Sequence, residues 1–173
     1  QDLPSLLSFQ EVTTLFHEFG HALHGIFANG NYASLSGTSV FWDFVELPSQ
    51  LLENWCYEGE CLNLFAKHHQ TNEVIPSEYI QKIKDSSNFQ AGLATIRQIG
   101  LGKIDMGWHT LTIVDTDILN DDFTHIEKGQ LKDVDLYPSV EGCCVSTSFS
   151  HIFQGGYSSG YYSYKWAEVL EAD

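Results

Sequence analysis

Residues 17–21 read His17-Glu18-Phe19-Gly20-His21, inside an apolar-periodic run over 6–27 that has no proline after Pro4. Apolar side chains at Leu15, Phe16, Phe19, Leu23 and Phe27 predict a helix buried along much of its girth. Positions four apart lie about one turn above each other on such a helix, so His17 and His21 aim their imidazoles at one point. Two neutral imidazoles so placed are ligands for zinc, and Glu18 projects beside them toward an attacking water. Without a cation or hydrogen bonds, burying two histidines and a glutamate is costly. The other reading is a pair of core histidines bonded to carbonyls, with Glu18 at the surface.

The 173 residues, 43% apolar and 13% aromatic, suffice for one compact core, and nothing in the sequence marks a second domain. Gln1 in place of a starting Met, and a final 168–173 stretch that reads as mid-helix, point to a piece of a larger protein. A formal charge of −15, with eight Lys and Arg against twenty-three Asp and Glu, argues against a nucleic-acid partner. No apolar run approaches the roughly 18 residues of a membrane span, so no membrane partner is expected. Cys56, Cys61, Cys143 and Cys144 show neither CxxC pairing nor a disulfide framework, which predicts reduced thiols and a cytoplasmic location.

The first helix is predicted to stop near Asn29-Gly30-Asn31. The small and β-branched residues at 32–40 then predict a short extended segment or hairpin, or else a plain surface connection. Beside a metal, free backbone there, with Gly37 and Thr38 as substrate-binding positions, would pair with an extended peptide. A second helix is predicted from near Asp43 to about Lys67, with Pro48 inside it. Starting at Glu46 or Leu47 puts Pro48 in the first turn, where its missing donor costs little; starting at Asp43 predicts a kink. A two-histidine zinc site needs a third protein ligand and an open fourth position, and a following helix is the usual supplier of the acid. Glu46, 25 positions after His21, is the candidate. Asp43 and Glu53 compete with it, each readable more simply as an exposed acid or a helix cap.

Farther on, Pro76-Ser77-Glu78 opens a helix toward Lys84. Residues 89–119 carry Leu93, Ile96, Ile99, Ile104, Trp108 and Leu111 at helical spacing, with Gly100 and Gly102 as points of close packing or bending. His68, His69, His109 and His125 read as structural or exposed, and His24 as a packing or hydrogen-bonding residue. Residues 149–164 then place three glycines and four tyrosines beside His151, which predicts a loop leading into a helix through Trp166 and Val169. Gly155 and Gly156 allow backbone to approach a substrate closely, and tyrosine hydroxyls donate hydrogen bonds of the kind an oxyanion needs. An aromatic-rich core joint is the other reading of the same composition.

HEFGHALHGIFA (17–28), followed by SGTSVFWDFVELPSQLLENW (36–55), resembles the thimet oligopeptidase and peptidyl-dipeptidase family of zinc metallopeptidases, to which oligopeptidase A is related. The similarity is close over residues 5–55. It implies a mainly α zincin-like catalytic domain with a short extended segment near the metal. The whole of 1–173 would then be one catalytic-domain fragment of a larger two-lobed peptidase, and its partners the missing N-terminal lobe and short peptide substrates. One zinc per chain is implied on His17, His21 and Glu46, with Glu18 as general base. A His-rich, glycine-containing loop before a Tyr-rich helix binds substrate in that family, and the matching positions are His151, Tyr157 and Tyr164. The spacing of six from His151 to Tyr157, with Phe153-Gln154 before paired glycines, is more similar to the peptidyl-dipeptidase branch, implying release of C-terminal dipeptides. An oligo-endopeptidase of the same family, another zinc hydrolase such as an aminopeptidase, and a non-catalytic binding module are the alternatives. Intact Glu18 argues against the last.

Overall fold

Helices make up nearly all the regular structure, as the periodicity predicts. A computed structural model describes residues 4–112, 124–138 and 140–172. Among them the one β contact is an antiparallel bridge between Lys67 and Val74. No helix of the described residues is long and apolar enough to cross a membrane. The chain divides into two compact units, one formed by Gln1–Phe89 with Trp166–Asp173 and one by Gln90–Lys165.

In the first unit, helix α1 (Phe9–Ile26) starts at a capping box. The Glu11 amide donates to Ser8 Oγ (3.3 Å) while the Ser8 amide donates to Glu11 Oε2 (2.7 Å), satisfying two backbone donors at the helix start. The helix stops at Ile26, short of the predicted Asn29-Gly30-Asn31 end. The predicted extended segment at 32–40 becomes one 3-10 turn at Ala33–Leu35, flanked by extended backbone at Tyr32 and Ser36. The described residues offer no strand for a longer extended run to pair with. Gly37, at φ +59, then bends the chain toward α1, where a Cβ on Gly37 would lie 3.2 Å from Gly25 Cα.

The single helix predicted from Asp43 is cut into α2 (Trp42–Val45), α3 (Leu47–Glu53), a 3-10 turn (Asn54–Tyr57) and α4 (Gly59–Phe65). Pro48 accounts for the first break: it sits in the opening turn of α3, where a missing N–H is harmless, and its ring cannot continue α2. Helix α5 (Ser77–Ser87) begins directly after Pro76, as predicted.

Helix α1 packs on α3, and the contact closes at Gly20. A Cβ on Gly20 would stand 2.5 Å from Ser49 Cα and 2.6 Å from the Pro48 carbonyl oxygen, so two backbones meet with no side chain between them. The expectation that α1 is buried along much of its girth is not met. Leu15, Phe19 and Phe27 are more than half exposed, because α3 and the following 3-10 turn supply most of the packing on α1 among the described residues.

The second unit is built on α6 (Ala91–His109), which starts after Gln90 rather than at Phe89 and ends before Leu111, expected on the helix; the predicted continuation over 113–119 lies outside the described residues. Helix α7 (Thr124–Leu131) packs on it where Gly100 leaves room, a Cβ there falling 3.1 Å from Leu131 Cδ2. A Cβ on Gly102 would meet nothing within 4 Å among the described residues, so this glycine serves no such contact there. Helix α8 (Ser150–Phe153) follows, then the start of α9 (Ser163–Ala172), whose residues from Trp166 on belong to the first unit. The core is Ile104, Phe149 and Ile152, flanked by Leu101, Trp108, Leu131 and Tyr161.

A buried carboxylate organises the chain before α8. Burial pushes the Glu127 carboxyl up, but donors from Ser146 Oγ, the Val145 and Ser146 amides and Cys144 Sγ outweigh it and hold the group below the ordinary carboxylate range. Trp108 Nε1 donates to Ser146 Oγ (2.9 Å), which ties this network to α6.

The Gly20 crossing gives a paired prediction. Gly20→Ala should destabilise the protein by about 1–3 kcal/mol in denaturant unfolding, since overpacking must push α3 off α1. Gly25→Ala, on the same helix but with open space at its Cβ, should be neutral or gain a few tenths of a kcal/mol. Equal effects from the two substitutions would mean that the contact is not tight.

Candidate active site

His17 and His21 stand one turn apart on α1, with ring centroids 5.0 Å from each other. Glu46, at the junction of α2 and α3, is buried to 2% exposure and turned toward them. Its Oε2 lies 3.3 Å from His17 Nε2 and 3.3 Å from His21 Nε2. One ligand atom from each residue falls within 4.8 Å of the others, and no second group of this kind occurs among the described residues. Ser49, one turn into α3, holds the acid in place, its hydroxyl 2.8 Å from the Glu46 carbonyl oxygen and 3.1 Å from Oε2. The α1–α3 crossing at Gly20 thus brings the acid to the imidazoles.

Glu53 has a different place from either the ligand or the cap that its sequence position suggests. Its Oε1 accepts from His17 Nδ1 at 2.7 Å, leaving Nε2 to face Glu46. A carboxylate on the far nitrogen of a metal-binding imidazole fixes its tautomer and makes it a stronger donor. His21 lacks this support: its Nδ1 is buried without a hydrogen-bond partner among the described residues. His24 behaves as a packing residue, edge-on to Phe44 at 6.3 Å, with its own Nδ1 buried and unpartnered there. Glu18 is exposed beside His17, Thr38 is exposed and Gly37 half-buried.

Two imidazole nitrogens and one carboxylate oxygen are the protein donor set of a catalytic zinc site, and these residues fit that ion. Without the ion, hydrogen bonds to Glu46 and then Glu53 keep His17 protonated, raising its pKa to about 10 against the opposing effect of burial.

The second unit gathers the other predicted group. The rings of Tyr157 and Tyr164 are stacked at 5.3 Å, and His151 lies 6.2 Å from Tyr157, centroid to centroid. Tyr161 is packed against Phe149 at 4.7 Å and lies against all three of the others. Gly155 passes so close to His151 that a Cβ would meet its Cα at 2.8 Å, and Gly156 takes φ +85, so this turn requires both glycines.

The sequence pattern of peptidase family M3 matches residues 1–173. The chain belongs to peptidase family M3. Oligopeptidase A of Escherichia coli K12 is 43% identical over 172 residues, which are 98% of this chain and 25% of that protein. Organellar oligopeptidase A, chloroplastic/mitochondrial, of Arabidopsis thaliana is 42% identical over 173 residues, or 99% of this chain and 22% of the relative. Dipeptidyl carboxypeptidase of Escherichia coli K12 is 40% identical over 170 residues, again 98% of this chain and 25% of the relative. This M3 chain therefore spans about a quarter of the length of these relatives.

The family resemblance seen over residues 5–55 is thereby shown, and it extends over the whole M3 chain. Sequence reading missed Gly20, Ser49 and the role of Glu53. Gly20 alone gave a signal, as a small residue inside an apolar helix.

The raised pKa of His17 carries a signed prediction. A group protonated more tightly in the folded state stabilises fully below its ordinary pKa of 6.5 and loses that effect as pH rises through about 10. The metal-free protein should therefore lose melting temperature between about pH 7 and about pH 10. Glu53→Gln should flatten that loss, and Glu53→Ala should weaken zinc binding about 10- to 100-fold in competition titrations. A flat wild-type profile over that range would contradict the pairing.

Proposed function

We propose that this chain carries the catalytic centre of a zinc-dependent peptidase that acts on short peptides and releases C-terminal dipeptides. The observation that carries the proposal is the convergence of His17, His21 and Glu46, with Glu18 exposed beside them, in a chain of family M3. One zinc per chain would be held by those three residues. When bound, it would supply a Lewis acid to the scissile carbonyl and to the attacking water.

The chain's own residues would do the rest. Glu18 takes a proton from the attacking water as the new C–O bond forms, then passes it to the leaving amine as the C–N bond breaks. Glu53 holds the proton on His17 Nδ1, so Nε2 keeps its lone pair for the metal. The phenols of Tyr157 and Tyr164, with His151, donate to the oxyanion or the substrate backbone, each worth about 3 kcal/mol in the transition state. Backbone at Gly37, Thr38, Gly155 and Gly156 lies along the peptide. Four free cysteines suit a reducing compartment, and we place the protein in the cytoplasm on that basis.

Dipeptide release is favoured by the His151 to Tyr157 spacing and by the 40% identity to dipeptidyl carboxypeptidase. The second reading, an oligo-endopeptidase, is favoured by the 43% identity to oligopeptidase A. Peptides with free and amidated C-termini separate them: dipeptide release should vanish on amidation, whereas internal cleavage should persist. An enzyme that instead requires a free N-terminus would be an aminopeptidase.

Glu18→Gln should retain zinc and lose turnover by at least about a hundredfold, as expected for a missing general base. Tyr157→Phe should lower kcat by about 100-fold with zinc content unchanged. Near-normal turnover in Glu18→Gln would remove the general-base assignment, and zinc loss in Tyr157→Phe would make that tyrosine structural.

A further inference from the structure

The second unit contains a buried carboxylate that the chemistry above does not use. Asp105, on α6, is 1% exposed. Its Oδ1 accepts the Ser159 amide at 2.9 Å and its Oδ2 the Tyr161 amide at 2.9 Å. His109, one helical turn on, brings Nδ1 to 2.8 Å from Oδ1 and 2.9 Å from the Asp105 carbonyl oxygen. Both oxygens are thus spent on a turn distant in sequence, and a ring nitrogen from the same helix completes the shell.

The turn they grip is not one the chain adopts freely. Ser159 sits at φ +58, a left-handed conformation that costs a non-glycine residue free energy and persists where the surroundings enforce it. Backbone hydrogen bonds carry the constraint outward. The Gly160 amide donates to the Tyr157 carbonyl (2.8 Å), the Tyr157 amide to the His151 carbonyl (3.1 Å) and the Ser163 amide to the Gly160 carbonyl (3.0 Å). Ser158 Oγ donates to the Ile152 carbonyl at 2.6 Å. Fixing Ser159 and Tyr161 therefore fixes the backbone from which His151, Tyr157 and Tyr164 project. It also sets the stacking of the Tyr157 and Tyr164 rings.

We propose that Asp105 is a positioning residue for the reaction: through Ser159 and Tyr161 it holds the turn that sets the phenols of Tyr157 and Tyr164. This role rests on the substrate contacts proposed above for those tyrosines. An ionised carboxylate suits it where an amide does not, because two backbone donors face two oxygens and Asn would turn an NH2 group toward one of them. His109 orients the carboxylate through Oδ1 and belongs to the same device.

The test compares Asp105→Asn with wild type in the intact protein by two independent readouts, with zinc content and melting temperature as controls. In hydrogen exchange read by mass spectrometry, amides in 157–162 should exchange about 10- to 100-fold faster in Asp105→Asn, the loss expected when hydrogen bonds to a charged acceptor are removed, while α6 keeps its protection. In peptide hydrolysis kcat should fall about 10- to 100-fold with KM within about twofold and zinc retained, since the donors are displaced and not removed. Wild-type exchange in the turn, or unchanged kcat with a loosened turn, would overturn the proposal. If wild type itself does not hydrolyse peptides, the functional reading fails and the catalytic half of this proposal fails with it. The exchange data then still decide whether Asp105 holds the turn. Should Asp105→Asn not fold, His109→Gln carries the same comparison: faster exchange at 157–162 with lowered kcat supports the role, and wild-type values in both overturn it.

Discussion

The contact between the backbones of α1 and α3 at Gly20 is the constraint on which the candidate metal centre depends. His17 and His21 are aligned by helix geometry alone, so α1 could present them in isolation. Glu46 is another matter, because it lies at a helix junction 25 residues beyond His21 in sequence. It reaches the imidazoles only if α3 comes close enough for Ser49 Cα to occupy the space of a Cβ on residue 20. Pro48 serves the same end, ending α2 so that Glu46 falls at the bend and not on a continuous helical face.

The two units solve a similar electrostatic problem in different ways. Glu46, Asp105 and Glu127 are all carboxylates buried in a strongly acidic chain, and each would be costly to desolvate alone. Glu46 faces imidazoles that a cation can share. Asp105 and Glu127 are instead surrounded by neutral donors, namely backbone amides, hydroxyls and a thiol, with His109 added at Asp105. The first arrangement sets the acid beside two imidazoles that could join it on a metal, whereas the other two wrap the acid in donors. Glu46 is accordingly suited to chemistry, and the others to holding loops in shape.

Much of this could be read in the sequence, and the limits have physical reasons. Helix type and the start of α5 followed from periodicity and from Pro76, signals that are local. The histidine pair and Glu46 were legible because one spacing rule and one family pattern bear on them. Glu53 was not, since its role depends on which way α3 faces, which the crossing at Gly20 decides. Asp105 drew no reading at all; the two amides it holds lie more than fifty residues away, and backbone donors leave no mark in side-chain pattern. The burial of α1 was overestimated for a related reason, because an apolar pattern states what a helix can cover and not what lies against it. The extended stretch at 32–40 became a 3-10 turn because a strand requires a partner that periodicity cannot supply.

The central claim is that His17, His21 and Glu46 together bind zinc, and X-ray absorption at the zinc edge of the metal-loaded protein tests it most directly. The account predicts a first shell of nitrogen and oxygen at about 2.0–2.2 Å, with outer-shell scattering from two imidazoles, no sulfur, and loss of the imidazole signal in His17→Ala. A sulfur shell at about 2.3 Å would place the metal on cysteines and contradict it. So would an imidazole signal that survives His17→Ala unchanged.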